Sequence, residues 1–148
     1  MRHFGVKDAG SVEIMILYKN LSVRAGTKLY QLEFKNRITI VMGDSGNGKT
    51  YLYKFLEEYR GTEGYEDIVL FNYKSDDFHQ RLQGMRHKFI VIDNADIMLD
   101  DTDKQFINFH KENQFLLFKR DFTNLFINPN SLVTLKQDGN IIQFKEVL

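Results

Sequence analysis

Short apolar runs alternate with helical stripes along most of the chain. Val12 to Leu17 is strand-like, and Tyr30, Leu32 and Phe34 alternate with Gln31 and Glu33, the period-two pattern of a half-exposed strand. These two segments are expected to pair antiparallel. Ile38 to Met42 is continuous and β-branched, as a strand covered on both faces should be, and it runs into glycines. From Lys49 to Arg60, residues Leu52, Phe55, Leu56 and Tyr59 recur at helical spacing, and Gly61 suits the stop. Ile68 to Phe71 reads as a strand. A helix capped by Ser75 or Asp76 follows it, carrying Phe78, Leu82 and Met85 on one face. Phe89 to Ile92 and Phe115 to Phe118 are further strands, with a helix from about Thr102 to Glu112 between them. Leu132–Leu135 and Ile141–Phe144 flank Asp138-Gly139, a hairpin turn signal.

Strands that alternate with helices imply parallel βαβ units. The expected class is therefore α/β, with a mostly parallel central sheet, antiparallel N-terminal strands and a C-terminal hairpin. With 148 residues and no repeat or linker, residues 1–148 read as a single domain. Lysine plus arginine and aspartate plus glutamate both total 20, so no nucleic-acid patch is evident. The absence of cysteine excludes disulfides, thiolate zinc sites and cysteine nucleophiles. The first residues lack an apolar leader and no run is long enough to span a bilayer, so a cytoplasmic protein without membrane insertion is expected. The histidines at 3, 79, 87 and 110 show no metal-ligand spacing. The Phe-rich stretch from Phe106 to Phe126 reads as core rather than as a partner face.

The chemistry is concentrated in Gly43-Asp44-Ser45-Gly46-Asn47-Gly48-Lys49-Thr50. This matches G-x-x-x-x-G-K-[ST] in full and lies between a buried strand and an amphipathic helix, the setting in which that motif wraps phosphate. At ordinary glycine usage a chance match in such a chain is expected on the order of 0.01 times. Gly43, Gly46 and Gly48 let backbone N–H groups turn inward, Lys49 reaches the β and γ phosphates, and the Thr50 hydroxyl can ligate Mg²⁺. A magnesium nucleotide also needs a carboxylate at the end of a neighbouring buried strand. Asp93 closes Phe89–Ile92 in that way.

The residues from Asp93 onward resemble ABC-type ATPases. That family follows the strand aspartate with a glutamate and then a Leu-Asp pair, and Asp93-Asn94-Ala95-Asp96-Ile97-Met98-Leu99-Asp100 keeps the aspartate and has Leu99-Asp100 in register. Tyr18 to Val23 is similar to the family's opening strand, Phe34 to Ile40 to its approach to the phosphate loop, and Leu132 to Ile142 to its closing hairpin. The resemblance implies a P-loop NTPase three-layer sandwich, with Phe115–Phe118 lying between the strands that end at Met42 and Asp93. It also implies departures. Between Phe71 and Phe89 there is room for one short helix, so the family's helical subdomain and Ser-Gly-Gly signature are missing. Asn94 stands where the catalytic glutamate would be, and an amide can orient water but cannot take its proton. Asp96 is a candidate replacement, and Arg120 aligns near the family's switch histidine. Ala25 stands near the adenine-stacking aromatic, for which Tyr18 and Tyr30 are loose substitutes.

The expectation is a minimal P-loop domain binding Mg-ATP, with GTP as the alternative, through Gly43, Asp44, Ser45, Gly46, Asn47, Gly48, Lys49 and Thr50. Thr50 and Asp93 would hold Mg²⁺, and Asn94, Asp96 and Arg120 would lie near the γ phosphate. Such a domain serves as a nucleotide-dependent switch or slow ATPase acting with a protein partner. The rivals are a small-molecule or nucleotide kinase, which would phosphorylate an acceptor, and an interaction module whose phosphate loop is a relic.

Overall fold

The computed structural model describes residues 16–43, 48–120, 125, 127 and 131–147. In chain order the elements are β1 (Asn20–Ala25), β2 (Lys28–Glu33), β3 (Ile38–Met42), α1 (Lys49–Tyr59), β4 (Ile68–Phe71) and α2 (Phe78–Gln83). Then come β5 (Phe89–Ile92), α3 (Ala95–Met98), α4 (Asp101–Phe109), β6 (Gln114–Lys119), β7 (Ser131–Asp138) and β8 (Ile141–Glu146).

Among the described residues the strands form one eight-stranded mixed sheet, ordered β1-β2-β8-β7-β3-β6-β5-β4. The β1–β2 and β7–β8 pairs are antiparallel and the remaining neighbours are parallel. The fold class is α/β, and β6 lies between β3 and β5 as expected.

Alternation along the central strands sends side chains to two cores. Val41, Leu116, Phe118, Phe89 and Val91 pack with Leu52 and Leu56 of α1 and with Leu21, Val23 and Leu32 of the β1–β2 hairpin. Ile38, Ile40, Phe115, Leu117, Ile90 and Ile92 pack with Phe78 and Leu82 of α2, Ala95 of α3 and Phe106 and Ile107 of α4. Every residue of β6 is buried, which explains why its sequence carries no polar alternation. Fully burying each such Phe or Leu contributes about 1.5–3 kcal/mol.

Polar side chains fasten the end of this sheet opposite the glycines. Arg37, just before β3, is 2% exposed. Its guanidinium donates to the carbonyls of Ile107 (2.7 Å), His110 (3.2 Å), Asn113 (3.2 Å) and Asn108 (3.5 Å), so it closes the C-terminal end of α4. Burial pushes its pKa down to about 10 while Glu112 pulls it up, and it remains a cation at neutral pH. A cation suits the negative end of a helix dipole. The Gln114 amide grips the Tyr18 backbone from both sides, accepting from its N–H (2.8 Å) and donating to its carbonyl (2.9 Å).

Three local expectations change. Residues 12–15 of the Val12–Leu17 segment lie outside the described residues, Ile16 and Leu17 are not in a strand, and β2 pairs instead with Asn20–Ala25. Neither Ser75 nor Asp76 caps α2: Asp77 holds the cap position, and the Ser75 hydroxyl accepts from the Asn72 N–H at 2.9 Å. The helix placed near Thr102 is preceded by the separate turn α3 and starts at Asp101. Asp100 and Asp103 form a reciprocal capping box there, which draws the start back from Thr102. Phe106, Phe115 and Phe118 are core as expected, whereas Phe109 is exposed, and Phe122 and Phe126 lie outside the described residues. Among the described residues, no helix is long and apolar enough to cross a membrane.

Candidate functional site

The C-terminal ends of three adjacent parallel strands converge on one side of the sheet. Gly43 follows β3, Arg120 follows β6 and Asp93 follows β5. This is the edge of an α/β sheet at which ligands generally bind. The backbone enters α1 through Gly48 at φ +99°, after leaving β3 through Gly43 at φ +139°. At Gly48 an added Cβ would meet ordinary contacts, 3.4 Å from the Tyr30 hydroxyl and 3.6 Å from Leu135, so backbone conformation rather than space demands glycine there. Asp44, Ser45, Gly46 and Asn47 lie outside the described residues.

Helix α1 has no side-chain cap and no acidic residue in its first turn. Its positive dipole end therefore meets the cavity beside it with no acid of its own to neutralise it. That cavity, of about 90 Å³, is lined by Lys49, Thr50, Asp93, Asn94, Phe118, Lys119 and Arg120. Lys49 is buried, and its ammonium donates to the Gly43 carbonyl and to the Lys119 carbonyl, the latter at 3.1 Å. The ammonium thus sits between the ends of β3 and β6. With Lys49 and Arg120 against Asp93, the ionised side chains of the lining carry a net positive charge, which favours an anion.

Asp93 is held by its main chain, whose N–H donates to the Phe71 carbonyl at the end of β4 (2.9 Å), while its carboxylate accepts from the Asn94 N–H (3.0 Å). Asn94 has φ +50°, a conformation asparagine adopts more readily than most residues, and its carbonyl accepts from Ile97 and Met98 to start α3. Thus Lys49, Thr50, Asp93, Asn94 and Arg120 are brought together. Asp96 does not line the cavity: it lies within α3, and its Oδ1 is buried with no hydrogen-bond partner among the described residues.

Residues that the motifs did not single out complete the surroundings. Tyr53 lies four residues beyond Lys49 and three beyond Thr50, on the same side of α1, and is buried. Its phenol is held above its ordinary range, first by burial and then by Glu57 and Asp93, with Arg60 pulling the other way. Helical spacing from Lys49 was the available signal. Tyr30 donates its hydroxyl to the Gly48 carbonyl at 3.1 Å, tying β2 to the start of α1. Tyr18 and Tyr30 are both buried, and Tyr18 packs edge-on against Phe89 at 5.2 Å, so neither offers a face for stacking a base.

Two other polar clusters are chemically different. His79 of α2 places Nδ1 2.5 Å from Asp103 and 3.5 Å from Asp100, joining α2 to the capping box of α4. These three could share a cation, although nothing in their sequence spacing brings them together. The Asp103 N–H bond to its carboxylate holds Asp100 below the usual carboxylate range, and His79 adds to this. A cleft of about 250 Å³ near the starts of β3 and β7 is lined by Glu33, Lys35, Thr39, Ser131 and Glu146 among others. Its two carboxylates disfavour a phosphate.

Thr50 and Asp93 supply hydroxyl and carboxylate oxygens beside a lysine, the hard donors that a magnesium phosphate takes, so the lining fits such a group. The chain matches no known protein family and no curated protein sequence.

Proposed function

We propose that this chain is a P-loop nucleoside-triphosphate-binding domain, closest in plan to a trimmed ABC-type ATPase core. It binds Mg-ATP, with GTP the alternative, and serves as a nucleotide-dependent switch or slow ATPase working with a protein partner. The observation that carries this reading is the convergence of Lys49, Thr50, Asp93 and Arg120 on one cavity at the ends of β3, β6 and β5. Helices packed against both faces of those strands, with β6 between β3 and β5, support the three-layer P-loop arrangement.

In this reading the backbone of Gly43 to Gly48 cradles the phosphates and Lys49 exchanges its carbonyl partners for β and γ oxygens. Thr50 and Asp93 hold Mg²⁺, which neutralises phosphate charge when bound. Arg120 faces the terminal phosphate from the end of β6. Asn94 can orient a water but cannot accept its proton, and the cavity lining includes no Asp96 to replace the glutamate, which supports slow turnover. The connection from Phe71 to Phe89 holds only the six-residue α2, which leaves no helical subdomain to complete the site of a second copy.

Asp93→Asn tests the metal half of this reading, because a neutral amide orders metal-bound water less strongly than a carboxylate. Calorimetric titration of ATP at increasing Mg²⁺ is expected to show strong magnesium dependence in the parent and a weak one in the variant. Identical titrations would reduce Asp93 to a strand-end residue. Phosphate release from the parent, followed in the same samples, is expected well below the enzyme median of about 10 s⁻¹.

A further inference from the structure

Away from the phosphate site, His79 of α2 meets Asp100 and Asp103 at the start of α4, and one ligand atom from each lies within 4.8 Å of the other two. The His79 Nδ1 is 3.5 Å from Asp100 Oδ2 and 2.5 Å from Asp103 Oδ2. Around a tetrahedral Zn²⁺, bonds of about 2.0–2.2 Å put neighbouring ligand atoms roughly 3.3–3.6 Å apart. The Asp100 separation already has that span, and the Asp103 contact needs to open by about 1 Å. Both carboxylates are oriented in advance. The Asp103 N–H donates to Asp100 Oδ1 at 2.8 Å and the Asp100 N–H to Asp103 Oδ2 at 3.0 Å, as outer partners of metal ligands do.

A second observation lies in Asp103 itself. Its side chain is fully buried and faces His79, yet its Oδ1 has no hydrogen-bond partner among the described residues. Buried carboxylate oxygens are normally satisfied, because an unpaired buried charge is costly. Oδ2 is committed to the capping box, so Oδ1 is the oxygen left for an ion. Among the described residues no lysine or arginine pairs with either aspartate, and the two carboxylates share one imidazole. A protonated His79 balances one of the two charges and leaves Oδ1 unanswered. The positive end of α4 adds only about half a charge. A divalent cation balances both carboxylates with the imidazole neutral.

We propose that His79, Asp100 and Asp103 bind one Zn²⁺, with two carboxylate oxygens and one imidazole nitrogen as protein ligands and water in the fourth position. An imidazole among the donors favours zinc over Mg²⁺ and Ca²⁺, which take oxygen ligands. His79 and Asp100 are about half exposed, which gives the ion its way in. The ion acts as a clasp: α2 has only six residues, too few to be stable alone, and the metal fixes it to α4. None of the three residues lines the cavity beside Lys49, so the inference stands independently of the nucleotide reading.

The test titrates Zn²⁺ calorimetrically, without nucleotide or affinity tag, into the parent, His79→Gln, Asp100→Asn and the control His110→Gln, and follows thermal unfolding of each. The parent is expected to take up one Zn²⁺, and at about 100 times the dissociation constant its midpoint should rise by roughly 5–11 °C. His79→Gln and Asp100→Asn should each weaken binding at least about 10-fold, whereas His110→Gln should bind as the parent does. An equal concentration of Mg²⁺ should not displace the zinc. A folded parent that takes up no Zn²⁺ overturns the site, as does His79→Gln binding it with the parent's affinity or displacement by Mg²⁺. If His79→Gln fails to fold, nuclear magnetic resonance of the parent decides. Zn²⁺ should shift the ring signals of His79 and leave those of His87 and His110 in place, and an unmoved His79 overturns the proposal.

Discussion

Lys49→Ala is expected to weaken Mg-ATP binding by at least about 100-fold while leaving the protein folded. Two charge-assisted hydrogen bonds to phosphate oxygens, at about 1.5–3 kcal/mol each, account for a loss of that size. The structure adds a cost that the motif alone did not suggest. Lys49 is buried, and its ammonium serves the carbonyls of Gly43 and Lys119, so the variant leaves both short of a donor. A stability loss of about 1 kcal/mol should accompany the binding loss. Calorimetry and denaturant unfolding on the same sample separate the two effects. ATP affinity equal to the parent's would remove Lys49 from the site.

Arg37→Ala should have the largest effect on stability, about 3 kcal/mol or more, without touching the proposed nucleotide site. The side chain is almost wholly buried, and its charge is satisfied by four carbonyls at the end of α4 rather than by a carboxylate. Truncation leaves those carbonyls without their donor, opens a cavity against Phe115 and removes a cation from the negative end of a helix. At about 2–4 °C per kcal/mol for a domain of this size, the midpoint should fall by roughly 6–12 °C. Arg37→Lys should recover only part of this, since an ammonium cannot reach four carbonyls spread around a planar fork. An unchanged midpoint would show that the α4 end is held by other means.

The contrast between these two residues shows what the chain discloses on its own. Lys49 could be singled out because a phosphate-binding motif fixes the spacing of its lysine from the glycines, and that spacing is local. Asp93 is legible for a similar reason, as the first polar residue after a continuous apolar strand. The placing of β6 between β3 and β5 followed from family resemblance, and the unbroken apolar run Phe115–Phe118 of β6 agrees with a central position. Arg37 gave no such signal: its partners lie 70 or more positions away and are backbone carbonyls, which have no sequence signature. His79 with Asp100 and Asp103 was hidden likewise, because tertiary packing of α2 on α4 brings them together. Tyr30 could be read as an inward strand position, but its hydroxyl bond to Gly48 could not. The partner of β2 was misassigned because Val12–Leu17 is the more apolar run, whereas β1 alternates Leu21 and Val23 with polar residues, as an edge strand with one covered face does. Asp96 looked suitable by its nearness to Asp93. It lies within α3 and is absent from the cavity lining.

Thermal unfolding of the parent protein with and without Mg-ATP tests the central claim most directly. In the proposed reading, backbone N–H groups at the start of α1, together with Lys49, Thr50 and Asp93, would bind triphosphate only when the chain is folded, so the ligand would stabilise the fold. At about 100 times its dissociation constant it adds about 2.7 kcal/mol, a midpoint rise of roughly 5–11 °C for a domain of this size. AMP should raise the midpoint far less, because Lys49 and the metal act on the β and γ phosphates. If the folded, phosphate-free protein shows no shift with any nucleoside triphosphate at millimolar concentration, with or without Mg²⁺, the nucleotide-binding account is contradicted.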